Sequence, residues 1–108
     1  SDEVSERELR SVNTALLHAV VAEARTRRTA LLLVYLPAKG ESAQQIGPSS
    51  REALSILAAS GVPYVDGTSW LEHVPPDRRH LRWHETPEAN RAIAAGLEGL
   101  VRAAVAAN

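Results

Sequence analysis

Six apolar residues in a row, Leu31, Leu32, Leu33, Val34, Tyr35 and Leu36, constrain this chain more than any other stretch. A strand with one face in water alternates polar and apolar side chains. This run does not alternate, so it reads as a strand buried on both faces. Strands of that kind belong to parallel sheets covered by helices on each side. Pro37 closes the run, because proline has no amide to extend a ladder.

The flanking sequence supplies such helices. Leu9, Val12, Leu16, Leu17, Val20, Val21 and Ala24 recur at helical spacing, predicting one amphipathic helix to about residue 26. Ser5-Glu6-Arg7-Glu8 has the capping-box pattern with Ser5 as N-cap, and Arg25, Arg27 and Arg28 suit the negative end of the helix dipole. After Pro37, residues 38–48 form a polar loop with Gly40 and Gly47, long for a connection and hence a candidate functional rim. Ser49-Ser50-Arg51-Glu52 repeats the capping-box pattern and opens a second helix through Ala53, Leu54, Leu57 and Ala58, ended by Gly61.

Val62-Pro63-Tyr64-Val65 predicts a short second strand, after which Asp66 suits an Asx turn. Trp70 and Leu71 open a short helical turn, broken at Pro75-Pro76, and residues 77–83 make a charged approach to His84. The last helix is announced by Thr86 as N-cap, Pro87 in the first helical position and Glu88 at the positive dipole end. Ile93, Leu97, Leu100, Val101 and Ala104 then predict one buried face.

Helix–strand–helix–strand–helix with short links is the order of an α/β fold with a parallel sheet. At 108 residues with 44% hydrophobic content, residues 1–108 make a single α/β domain or the C-terminal portion of one. Two strands alone leave apolar edges uncovered. The expectation is therefore that a further N-terminal segment, or a second copy of the chain, completes the sheet. A net charge of −1 leaves no electrostatic footprint for nucleic acid or an acidic membrane. With no cysteine, disulfides, thiolate nucleophiles and zinc–cysteine sites are excluded. No apolar run approaches the roughly 20 residues of a membrane span.

His84 is the leading candidate for chemistry, since a side chain two residues before an N-cap is both exposed and held. Beside a helix start its imidazole would stay neutral, as a general base requires. An ordinary loop histidine bonded to the helix start fits the same position. Trp83 and Lys39 are candidates to line a site around it, Trp83 alternatively filling core volume and Lys39, like Glu41, alternatively standing on a solvated rim. His73, His80 and His84 invite a metal reading, but the prolines and the cap at Thr86 oppose a helix that would align His80 with His84, and no third ligand falls at defined spacing. No metal or cofactor is expected.

The block His84, Pro87, Ala89, Asn90, Arg91, Ile93 and Ala94 resembles the His-x-x-Pro-x-Gly/Ala-Asn/His-Arg-x-Ile-Ala pattern of SGNH/GDSL-type hydrolases. The upstream blocks are similar too: the helix around Val12-Asn13-Thr14-Ala15-Leu16-Leu17, the proline-ended strand Leu33-Val34-Tyr35-Leu36-Pro37, and Gly61-Val62-Pro63-Tyr64-Val65-Asp66. Leu36-Pro37-Ala38-Lys39 resembles a turn of the acetyltransferase-like branch. The resemblance implies a flavodoxin-like three-layer α/β/α fold, of which this chain holds two core strands. It further implies hydrolysis or transfer of an ester acyl group, such as one on a carbohydrate, without a cofactor. His84 would be the general base, for a serine expected upstream of this chain.

The sequence departs from that family in two places. It contains no Gly-Asp-Ser nucleophile block, and Asp66-Gly67-Thr68-Ser69 follows a late strand instead. The family's orienting aspartate lies two or three residues before the histidine, where this chain has Arg82 and Leu81. Asp77 is the carboxylate that would have to reach back to His84. The rival expectation is a non-catalytic α/β module that dimerises or docks on a partner through its sheet edge.

Overall fold

The computed structural model describes residues 2–107. Its elements are mixed helices and a small two-stranded parallel sheet, a small α/β arrangement. The sheet pairs β1 (Leu33–Tyr35) with β2 (Tyr64–Asp66). The chain divides into two compact units, Ser1–Leu33 with Pro48–Tyr64 and Val34–Gly47 with Val65–Asn108.

In the first unit, α1 (Asp2–Thr26) packs on α2 (Pro48–Ala59). Arg10, Thr14, Leu17, Val21 and Ala24 of α1 are half-buried, three or four residues apart, which makes one inward stripe. Arg10 reinforces the pairing by donating to Glu52 and, at 3.1 Å, to Ser55 Oγ. Leu9, Val12, Leu16 and Val20, expected on the same buried face, are exposed instead. Ser5 is not the N-cap, because α1 begins upstream of it. In α2, Pro48 takes the first helical position and Ser49 falls inside the first turn. Gly61, at φ +73°, ends α2 in the left-handed conformation that a C-terminal cap needs.

The second unit carries a core of Leu71, Val74, Ala89 and Ile93, with Trp70 and Ala92 packed against it. Asp66 leads into a 3₁₀ helix, Gly67–Leu71. Its Oδ1 accepts from Thr68 N at 3.0 Å and from Thr68 Oγ1 at 2.6 Å, the expected Asx turn. A second 3₁₀ helix, Pro76–Arg78, follows the proline pair. Then come β3 (His80–Leu81), β4 (His84–Glu85) and α3 (Pro87–Ala107). Along α3, Ala89 and Ile93 are buried and Leu100 and Ala104 half-buried, whereas Leu97 and Val101 stand exposed.

The apolar run is a shorter strand than its composition predicts. Only residues 33–35 pair, since β2 offers three residues, and burial on both faces does not hold: Tyr35 is buried, Leu33 and Val34 are half-buried, and Leu32 and Leu36 are exposed. A strand with one neighbour forms hydrogen bonds along one edge only, and here the ladder is as long as that neighbour.

Candidate functional site

Thr86 is the fixed point from which the site is built. Its Oγ1 accepts from Ala89 N at 3.1 Å, which caps α3, and donates to the Arg78 carbonyl. Its amide donates to the Arg79 carbonyl at 3.0 Å, and its own carbonyl accepts from Asn90 N at 2.9 Å. Arg79 is held in turn, its Nε donating to the Val74 carbonyl at 2.7 Å. Within the charged approach, Arg78 is exposed, while Arg79 is half-buried and ties the segment to the core.

Two residues before this clamp, His84 lies in a strand, not a loop. β3 and β4 form an antiparallel hairpin in which Leu81 pairs with His84 and His80 with Glu85. Arg82 and Trp83 make the two-residue link, and Arg82 carries φ +59° while Trp83 does not. A positive φ at the first link residue alone is the signature of a type II′ turn. Directly paired residues share a face of a hairpin, and successive residues alternate. Leu81 and His84 therefore share one face, and His80 and Glu85 the other. His80 and His84 do not converge, which removes the geometric basis for a shared metal. Among the described residues no group of three or more His, Asp or Glu side chains converges on a possible ion.

The His84 side chain is exposed. Asp77 sits in the 3₁₀ helix Pro76–Arg78, also exposed. Among the described residues, no hydrogen bond or ion pair joins Asp77 or any other carboxylate to the His84 imidazole. Arg82, which stands where a carboxylate would precede the histidine, serves the turn itself.

Trp83 is 83% exposed, which excludes it from the core. Lys39, from the loop after β1, places Nζ 5.5 Å from the centroid of its ring. That cation–π contact, worth about 0.5–1 kcal/mol at an exposed site, brings together two residues expected around the site. The other tryptophan, Trp70, is half-buried and packs against the Leu71, Val74, Ala89 and Ile93 cluster.

The loop that carries Lys39 is organised by Glu41, a residue read from sequence as solvated rim. Its Oε1 accepts from Ala38 N at 2.8 Å and from Tyr35 Oη at 3.1 Å, and its Oε2 accepts from Gly47 N at 2.6 Å. One carboxylate thus closes the loop at both ends. The available signal was an acidic residue between two glycines, which no capping or turn motif distinguishes from a solvated one. The Asp66-Gly67-Thr68-Ser69 block is structural, since Thr68 is buried and bonded to Asp66.

The arrangement offers an accessible imidazole in a hairpin strand fixed to the start of a helix and, one residue earlier in the chain, an exposed indole that holds the Lys39 ammonium. Such an imidazole can take a proton from a hydroxyl brought to it. No family model matches this chain, and neither a curated protein nor a solved structure matches it.

Proposed function

We propose that this chain is the histidine-bearing C-terminal portion of an SGNH/GDSL-like ester hydrolase or O-acyltransferase, with a three-layer α/β/α arrangement in the intact protein. The observation that carries the reading is His84, exposed two residues before the clamped N-cap of α3. In this reading a serine from outside the chain attacks the ester carbonyl while His84 accepts its proton. The imidazolium then protonates the departing alcohol, and the acyl-serine passes its acyl group to water or to a second alcohol. Trp83 and Lys39 flank the incoming ester, the indole offering an apolar face that suits a sugar ring. The order of elements and the block from His84 to Ala94 support the assignment.

The test is turnover of a short-chain nitrophenyl ester by this chain, alone and joined to a serine-bearing upstream segment. Activity only in the joined form, lost in His84→Ala, is the expected result. Equal activity in the isolated chain would sink it.

A second reading, a non-catalytic module docking through its sheet edge, draws on one observation. In a two-stranded sheet each strand keeps an edge without a partner strand, and Leu32 and Leu36 are exposed beside β1. It requires partner binding to be lost in Leu32→Lys with Leu36→Lys, and to be untouched by His84→Ala.

A further inference from the structure

Helix α1 carries an inward stripe, on the side that packs on α2, and a second stripe that is wholly apolar. The half-buried residues Arg10, Thr14, Leu17, Val21 and Ala24 face inward. About a third of a turn around the helix lie Leu9 at 62% exposure, Val12 at 54%, Leu16 at 59% and Val20 at 50%. Their spacing of three, four and four residues is that of a helix-packing seam. Four large aliphatic side chains in one line make a contiguous patch, unlike apolar residues scattered singly over a surface.

The charge along α1 specifies what fits the patch. The first turns hold Glu6 and Glu8 against Arg7, whereas the C-terminal end and the two residues just past it hold Arg25, Arg27 and Arg28, with Glu23 already paired to Arg27. One end of the helix is acidic and the other basic. A second α1 laid antiparallel sets each acidic end against a basic end, while a parallel copy would set like against like. The apolar stripe has the symmetry this requires. With Val12 opposite Leu16 of the second copy, Leu9 falls opposite its Ala19 and one residue, about 1.5 Å along the axis, from its Val20, so the two stripes interleave across a two-fold axis.

We propose that two copies of this chain associate through antiparallel α1 helices, along the seam of Leu9, Val12, Leu16 and Val20. The seam needs neither His84 nor the sheet edge, so this association stands or falls independently of the proposed ester chemistry.

Light scattering on the purified chain should give the mass of a dimer that dissociates more readily in high salt, because the paired ends are solvated. Leu16→Glu should abolish the dimer while leaving the far-UV circular dichroism unchanged, since Leu16 is already largely in water. Orientation is read separately. The chain has no cysteine, and Ser5 and Glu23 lie on the seam side of α1, separated by roughly 27 Å at 1.5 Å per residue. Mixed Ser5→Cys and Glu23→Cys chains should form the mixed disulfide as the main product under oxidation. A monomeric mass, a dimer that survives Leu16→Glu, or a Ser5→Cys chain that couples mainly to itself would each overturn the proposal.

Discussion

Gly96 and Trp70 occupy complementary space: a Cβ on Gly96 would stand 2.2 Å from Cδ2 of the indole and 2.4 Å from Cε2. Helix α3 can therefore lie against the core only because this residue has no side chain. Glycine inside a helix ordinarily costs about 1 kcal/mol relative to alanine, and here the clash reverses the sign. Gly96→Ala should destabilise the chain by about 1–3 kcal/mol, the usual range for overpacking. Gly99, three residues on, has nothing within 4 Å of the same added atom. Gly99→Ala should stabilise by up to about 1 kcal/mol. Thermal melts of the two variants should move in opposite directions from the parent.

Thr86 joins the hairpin to α3 through one hydroxyl. Thr86→Ala removes the helix cap and the bond to the Arg78 carbonyl, and should cost about 1–2 kcal/mol. Thr86→Ser keeps the oxygen and should restore most of it. Amide exchange at Ala89 and in the 80–85 hairpin should rise in the alanine variant and not in the serine one.

Leu81, three residues before His84, faces it across the hairpin. In a directly paired position the two Cβ atoms lie about 4.5–5.5 Å apart. A carboxylate there would reach the imidazole and fix its orientation, a contribution on the order of 10⁴-fold in the serine protease precedent. Leu81→Asp, at a position 72% exposed, should leave stability within about 0.5 kcal/mol. If His84 is the base, ester turnover by the chain joined to its serine-bearing segment should rise at least several-fold. Arg82→Asp, at the turn, should give a smaller gain. Equal rates in all three forms would remove His84 from the chemistry.

Glu41 holds the 38–47 loop through Ala38 N, Tyr35 Oη and Gly47 N. Removing an acceptor from partly buried donors costs about 1–3 kcal/mol. Glu41→Ala should make the loop sensitive to limited proteolysis at a temperature where the parent resists, with little change in helix content.

What was legible in the sequence was local chemistry. Thr86-Pro87 and Gly61 set helix ends through one or two residues' own geometry, and Asp66 needed only the hydroxyl and amide two positions on. Each of those features stands where its residue type predicts. Ser5 misled because a capping box identifies a permitted start, and nothing upstream stopped the helix from extending. The hairpin at 80–85 was invisible because Arg82-Trp83 lacks the Asn, Asp or Gly that normally supplies a positive φ. Burial was the least legible quantity. Leu31 to Leu36 and the apolar positions of α1 both report what a side chain would gain from being covered, not whether anything covers it. Trp83 and Lys39 could be singled out one by one, but their contact could not, and Leu81 became relevant only once the register was known.

The contrast between the two tryptophans gives this chain its own optical instrument. Trp70 is half-buried against the core and Trp83 stands in water within reach of Lys39. The red-shifted, iodide-quenchable part of the emission therefore originates one residue from His84, while the blue-shifted part monitors the packing beneath α3. A molecule that settles at His84 would announce itself in the first signal and leave the second alone, so occupancy can be followed without a label and without knowing the reaction.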